Sequence, residues 1–342
     1  MRRARHVGVG DRRCELQFES RKWRCRSCDT SFWQRFPGIL PRRRATEPYR
    51  KFVSLRHWDG IDRKRLSERE KIGSATVERW FKGYLGLKLK EREGTHCPKM
   101  LGIDEHFFSR KAGYATTFCD LGGNKVYDVV LGRSEASLEG YLGRMKGKEK
   151  VEMVCIDLST TYRSLVRKHF PKARIVADRF HAVRLVNHHF LTCWKQIDPI
   201  GSRNRGLLSL MRRHPKNLKS PEQKERLDRY LEENPVLGEI YRFKQKLMEL
   251  LLYKTRNHQS CKRLIPRLLK AIRELQDSHL DPLVTLGETL DSWKEEIVTM
   301  WRFTKNNGIT EGFHNKMETL SRKAYGFRNF ESYRLRVRVM CS

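Results

Sequence analysis

The periodicity of apolar positions changes near residue 98. Beyond it, LGIDEHFF, YATTFCDLGG and KVYDVVLGR read as short strands, with Gly122, Gly123 and Asn124 forming the hairpin turn between the second and third. SLEGYLGRMKG then repeats at helical spacing. VEMVCIDLS is a continuous apolar run, the mark of a strand buried on both faces, and TTYRSLVRKHF and ARIVADRFH read as a helix and another short strand. The predicted order is three antiparallel-type strands, helix, strand, helix, strand.

Residues 183–300 are rich in Leu, Lys, Arg and Glu at helical spacing, with breaks at Asp198-Pro199, His214-Pro215, Asn234-Pro235 and Asp281-Pro282. Leucine stripes there predict a bundle with solvated charged faces. Before the strands, IDRKRLSEREKIGSATVERWFKGYL carries helix-turn-helix punctuation. Leu66 and Ile72 precede a turn at Gly73, Ser74 is a candidate cap, and Val77, Trp80 and Phe81 recur at helical spacing. Thr76, Arg79 and Lys82 would face a major groove if the last helix reads DNA, or water if it is a plain linker. Further upstream, Cys25 and Cys28 form a CxxC knuckle between aromatic strands, like the second half of a zinc ribbon. A structural zinc needs four ligands. Only Cys14, with His6 a remote fourth, could join the pair, so an unmetallated remnant is the competing reading. The missing ligand pair is expected upstream of Met1 or lost.

The strand order is that of a ribonuclease H-like fold, an α/β architecture with a mixed five-stranded sheet and helices on both faces. In that arrangement the first and fourth strands are neighbours, and each is expected to end on an aspartate, Asp104 and Asp157. Each alone would read as a helix cap. Adjacent, they read as hard oxygen ligands for Mg²⁺ or Mn²⁺. A third acid, Glu311, lies in the basic, polar segment NNGITEGFHNKMETLSRKAYGF. Asp178 and His181 in VADRFH are expected beside Asp157, either orienting ligands or touching substrate, with Asp178 alternatively a simple cap. Glu105 should point away from Asp104 by strand alternation.

Charge sharpens this picture. The 342-residue chain has 72 Lys and Arg against 40 Asp and Glu, a formal net charge of +32, which points to a polyanionic partner. Carboxylates inside so basic a chain suggest metal-assisted phosphoryl chemistry on nucleic acid. Lys316, Arg322, Lys323, Tyr325 and Arg328 follow Glu311 as candidate DNA contacts. Nine cysteines, mostly unpaired in sequence, read as reduced thiols, and no apolar run approaches membrane-spanning length. A cytoplasmic protein is expected.

The segments GIDEHFF, CIDLSTTYRSLV, VADRFHAVRLVN and ITEGFHNKMETLSRKAYGFRNFESYRLRV resemble the ISL-three family of bacterial insertion-sequence transposases, within the DDE superfamily. The resemblance spans residues 14–340. It implies that Asp104, Asp157 and Glu311 hold two divalent cations, with Glu311 on a helix after a large helical insertion. It also implies a partner of double-stranded DNA, both inverted-repeat ends and target, with at least a dimer on the DNA and a nucleoid location when bound. The expected organisation is a partial zinc-ribbon-like segment at 1–40, a helix-turn-helix region at 41–95 and the first part of the catalytic core at 96–182. The helical insertion follows at 183–303, and the last core helix with the basic C-terminal segment at 304–342. Two other readings share these features: a nuclease on the same core that performs no strand transfer, and a catalytically impaired copy acting as a DNA-binding regulator.

Overall fold

A computed structural model of the chain describes residues 1–10, 12–91, 96–218, 220–255, 257–303 and 308–341, with backbone alone at 308–311. The chain forms two compact units, one of Met1–Gly94 with Lys316–Cys341 and one of Thr95–Asn315.

The first unit opens with two hairpins, β1 (Arg2–Val9) with β2 (Arg12–Phe18) and β3 (Lys22–Arg24) with β4 (Ser31–Trp33). Three helices follow: α1 (Glu47–Trp58), α2 (Arg63–Glu70) and α3 (Ser74–Lys90). Their first turns form where a polar side chain satisfies a free backbone N–H, Thr46 for α1 and Asp62 for α2. The α2–α3 turn passes through Lys71 in the left-handed region, and Gly73, not Ser74, occupies the cap position of α3, where it supplies no side-chain bond. Tyr49, Val53, Leu66 and Val77 close the core of the three helices.

In the second unit, β5 (Met100–Ser109), β6 (Gly113–Asp120) and β7 (Lys125–Leu131) form an antiparallel meander. The turn before β7 is set by Asp120, which accepts from the N–H groups of Gly122 (3.0 Å) and Gly123 (2.8 Å). A Cβ on Gly123 would meet that carboxylate at 2.5 Å, so no larger residue fits without a shift. After α4 (Glu135–Arg144) come β8 (Met153–Ile156), α5 (Thr160–His169) and β9 (Arg174–Ala177). The sheet order is β7-β6-β5-β8-β9, with β5, β8 and β9 mutually parallel. The mixed five-stranded sheet and the neighbouring first and fourth strands are as the sequence predicts. Leu101, Ile103, Phe118, Val154, Ile156 and Val176 are buried, because helices cover both faces of the parallel part.

The helical region comprises α6 (Arg179–Ile197), α7 (Arg205–Arg212), α8 (Pro221–Glu233), α9 (Pro235–Leu252), α10 (His258–Gln276), α11 (Asp281–Ser292) and α12 (Lys294–Arg302). Pro221, Pro235 and Pro282 stand in first turns, where a missing N–H costs nothing. Two arginines fasten this region to the sheet layer. Arg179 is buried and donates to the carbonyls of Leu251 (3.2 Å), Met300 (2.8 Å) and Tyr253 (3.4 Å), at the carboxy-terminal ends of α9 and α12. A cation there complements the negative ends of both helices. Arg163 of α5 pairs with buried Glu296 (2.7 Å), donates to the carbonyl of Ser292 (2.6 Å) and lies over the Trp293 ring at 3.6 Å.

The last helices are α13 (Gly308–Lys323) and α14 (Phe330–Met340). The fold divides the chain at Asn315, within α13, and Lys316–Cys341 belong to the first unit. There Val339 and Leu335 of α14 pack against Phe81, Leu85 and Leu89 of α3.

Candidate active site

Strand register builds the site. Ile103 of β5 pairs with Ile156 of β8, and Ile156 with Ala177 of β9. The residue after each member of this row is an aspartate: Asp104, Asp157 and Asp178. Asp104 does not end its strand, contrary to expectation. β5 runs on to Ser109 against β6, with Asp104 opposite Thr117, and only its parallel pairing with β8 stops at Ile103. Asp104 is therefore held by β6 on one side, just past the end of the β8 pairing on the other, and is 8% exposed.

The three aspartates differ in what they bond. Asp178 caps α6, its carboxylate accepting from the Phe180 N–H at 3.1 Å. Asp157 caps nothing: Ser159 caps α5. Its Oδ1 is buried with no hydrogen-bond partner. An orphaned anionic oxygen is costly in a folded interior and is the feature expected where a cation belongs.

Histidines surround the row. His181 places Nε2 3.6 Å from Asp178 Oδ2 and 4.0 Å from Asp104 Oδ1. His314 of α13 stands 3.8 Å from the other Asp104 oxygen through Nδ1 and 3.3 Å from the Thr117 hydroxyl through Nε2. His106 reaches the same hydroxyl at 2.9 Å, and its ring lies 5.2 Å from that of His314. Sequence reasoning missed His106, His314 and Thr117. His106 was within reach, since it shares the face of Asp104 by alternation. The other two come from elements remote in sequence.

Burial sets the electrostatics. It pushes the Asp104 carboxyl up to about 7 and that of Asp157 up to about 6, although nearby His181 opposes both shifts. Burial likewise lowers His314 to about 4 and His106 to about 3, keeping both rings neutral near pH 7. Two desolvated carboxyls beside neutral imidazoles make a pocket whose negative charge is held at a cost until a cation offsets it.

Glu311 falls in the first turn of α13, and its side chain lies outside the described residues. Among the described residues no three His, Cys, Asp or Glu side chains form a group that could hold a metal ion. The donor chemistry of Asp104 and Asp157, with the unbonded Asp157 oxygen, nonetheless suits a hard divalent cation. Glu105 turns away, to Arg133 at 3.1 Å.

The remaining predicted positions lie in the first unit. Thr76, Arg79 and Lys82 are on α3, where Thr76 accepts from Arg79 (3.2 Å) and Lys82 pairs with Glu78 (2.9 Å). Lys316, Arg322, Lys323, Tyr325 and Arg328 are exposed along α13 and its exit, with Arg322 paired to Glu318 at 2.6 Å. Cys14 lies in β2 opposite His6, whose Nδ1 is bonded to Thr46, while Cys25 and Cys28 lie in the turn between β3 and β4. All three cysteines carry free thiols. Among the described residues no helix is long and apolar enough to cross a membrane.

Comparison with known proteins fits this geometry. The family model DDE_Tnp_ISL3, described as Transposase, matches residues 101–337. The chain is also similar to the transposase for insertion sequence element IS1001 of Bordetella parapertussis, at 23% identity over 356 residues, covering 99% of this chain and 84% of that protein. The match runs from β5, which carries Asp104, through α14, and so takes in every element of the site. The chain belongs to the ISL-three family of transposases.

Proposed function

We propose that this chain binds the ends of an insertion sequence, cleaves DNA there and joins the freed ends to a target. The catalytic unit would be a ribonuclease H-like core, and its ligands Asp104, Asp157 and Glu311. The observation that carries this reading is the shared row of Asp104 and Asp157, with one Asp157 oxygen buried and unbonded.

Mg²⁺ or Mn²⁺ bound there would supply the positive charge that activates a hydroxyl nucleophile and offsets charge on the leaving oxygen. The protein's own contribution is rigidity. Asp104 is fixed within β5 by its pairing with β6, and Asp157 leaves a strand buried between two others, so neither carboxylate needs to reorganise during reaction. Glu311 stands one turn before His314 in α13, and residues three apart share a helix face. Glu311 precedes His314, which lies beside Asp104, and this spacing supports assigning Glu311 as the third ligand. His181 and His314 would orient the Asp104 carboxylate from either side. Thr76, Arg79 and Lys82 on α3, with Lys316, Arg322, Lys323, Tyr325 and Arg328, would hold DNA mainly through phosphates. Among the described residues Cys14, Cys25 and Cys28 do not come together as a metal-holding group, and no step depends on zinc there.

The test is nicking and joining of a plasmid that bears the element's inverted repeats, with and without Mg²⁺. Both product types are expected from the wild type and neither from Asp157→Asn. Nicks without joined products would identify a nuclease, and full activity in Asp157→Asn would end the proposal.

A further inference from the structure

Within the first unit, a cavity of about 520 Å³ opens between the α2–α3 corner and the segment joining α13 to α14. Its size suits a small organic ligand. Its lining combines cations and rings in an arrangement that neither α2–α3 nor the C-terminal segment has alone.

The charge is unbalanced. The two carboxylates at the cavity are already committed: Asp62 caps α2, and Glu78 pairs with both Arg63 and Lys82. Among the described residues Lys64, Lys323 and Arg328 form no ion pair, and neither does Arg336. Arg336 is the most confined of these cations. One guanidinium nitrogen donates to His57 Nε2 at 2.7 Å, and the group lies over the rings of Phe81 (4.7 Å) and Phe327 (5.3 Å). His57 can accept that bond because its Nδ1 faces the Ile61 carbonyl at 2.7 Å, which only an N–H can satisfy. The imidazole is therefore neutral, and it gives Arg336 an acceptor without cancelling its charge. Glu78 also acts on Arg336, but from beyond ion-pair distance and while bound to Arg63 and Lys82, which leaves the cavity's positive charge in excess and suits an anion.

The rings at the rim point to what else the ligand carries. Tyr325 is 91% exposed and sits in the left-handed region at φ +54, followed by Gly326 at φ +84. A tyrosine held there on a tight turn is strained and gains nothing from burial. It offers a free aromatic face beside unpaired cations. Phe327, two residues on, is braced against Tyr333 at 5.3 Å.

We infer that this cavity receives one unstacked nucleotide of a DNA strand, its base against Tyr325 and its phosphate near Arg336 and Arg328. Stacking tolerates any base, while the cations hold the backbone. The inference rests on the DNA-binding reading above and adds to it a site for a nucleotide out of its helix.

The test uses the full chain and two duplexes of equal length, one fully paired and one with a single bulged 2-aminopurine nucleotide. Anisotropy should show the bulged duplex bound about tenfold more tightly, the worth of one base–aromatic stack. Emission of the 2-aminopurine should fall as its ring stacks on protein. Tyr325→Ala and Arg336→Met should each bring the affinity ratio to within about twofold, and Tyr325→Phe should restore it. Should Arg336→Met fail to fold, Tyr325→Ala on its exposed turn decides alone. Equal affinities in the wild type overturn the inference, as does a ratio retained in Tyr325→Ala. Binding to neither duplex would instead sink the DNA-binding reading, and the nucleotide site with it.

Discussion

Ile103 and Ile156 pair across parallel strands, so Asp104 and Asp157 follow the same sheet row although 53 positions separate them in the chain. That pairing brings a strand residue and the residue just past a neighbouring strand into one anionic site. Replacing either aspartate by asparagine keeps the shape and removes the charge. Asp157→Asn should lower Mg²⁺-dependent DNA cleavage by about 10³-fold or more while leaving duplex affinity close to wild type. Plasmid nicking and gel-shift titrations on the same preparations check both halves.

The raised carboxyls predict an inverted stability profile for metal-free protein. Asp104 titrates near 7 and Asp157 near 6 when folded, both above the unfolded value near 3.8. Between those values the folded chain holds more protons than the unfolded one, so this contribution favours folding at low pH and fades as pH rises through 6 to 7. Metal-free protein should therefore melt several degrees higher at pH 5.5 than at pH 8, apart from other titrating groups. In Asp104→Asn that difference should shrink. Calorimetry in chelator at both pH values reads the effect. Cleavage should run the other way, rising from pH 6 to pH 8 as cation binding displaces the protons.

His314 touches Asp104 and Thr117 together. Removing it should loosen the carboxylate without changing its charge. His314→Ala is expected to cost about 10- to 100-fold in cleavage, with part of the loss recovered at higher Mg²⁺. A metal titration of the rate checks this, and a loss unchanged by Mg²⁺ would argue for a role other than positioning.

Arg179 satisfies three carbonyls at the ends of two helices. Arg179→Met leaves them buried without donors, at a cost of about 3 kcal/mol. Urea unfolding should show a lower midpoint even in the absence of DNA. A midpoint within error of wild type would mean that water or local movement replaces these bonds.

Net charge bears on affinity. With a formal charge of +32, duplex binding should weaken steeply with salt. Lys82→Ala should reduce the slope of log affinity against log salt by about one if Lys82 meets a phosphate. An unchanged slope would mean that Lys82 serves its pair with Glu78 instead.

Alternation and burial made the sheet legible before any coordinates. LGIDEHFF and VEMVCIDLS carry their strand identity locally, and their adjacency follows from the order of elements. What stayed hidden depends on register or on distance along the chain. Asp104 is interior to β5 because β6 continues the pairing after β8 has stopped, a fact that neither strand records by itself. Gly73 caps α3 although Ser74 has the better side chain, since the backbone, not the hydroxyl, decides which residue leaves the helix first. His314 and Thr117 meet across 197 positions, and Phe81 packs with Val339 across more. No pattern within a window of ten or twenty residues contains such contacts.

Arg163 and Arg179 carry a lesson for anyone who would treat residues 183–303 as an interchangeable cassette. Both guanidinium groups belong to the flanking segments, while Glu296 and the Leu251 and Met300 carbonyls belong to the stretch between. A graft from another transposase would bring acceptors shaped for different bolts, and a clean deletion would leave buried Arg179 and half-buried Arg163 facing nothing. Chimeras cut at these borders should fail unless donor and acceptor travel together.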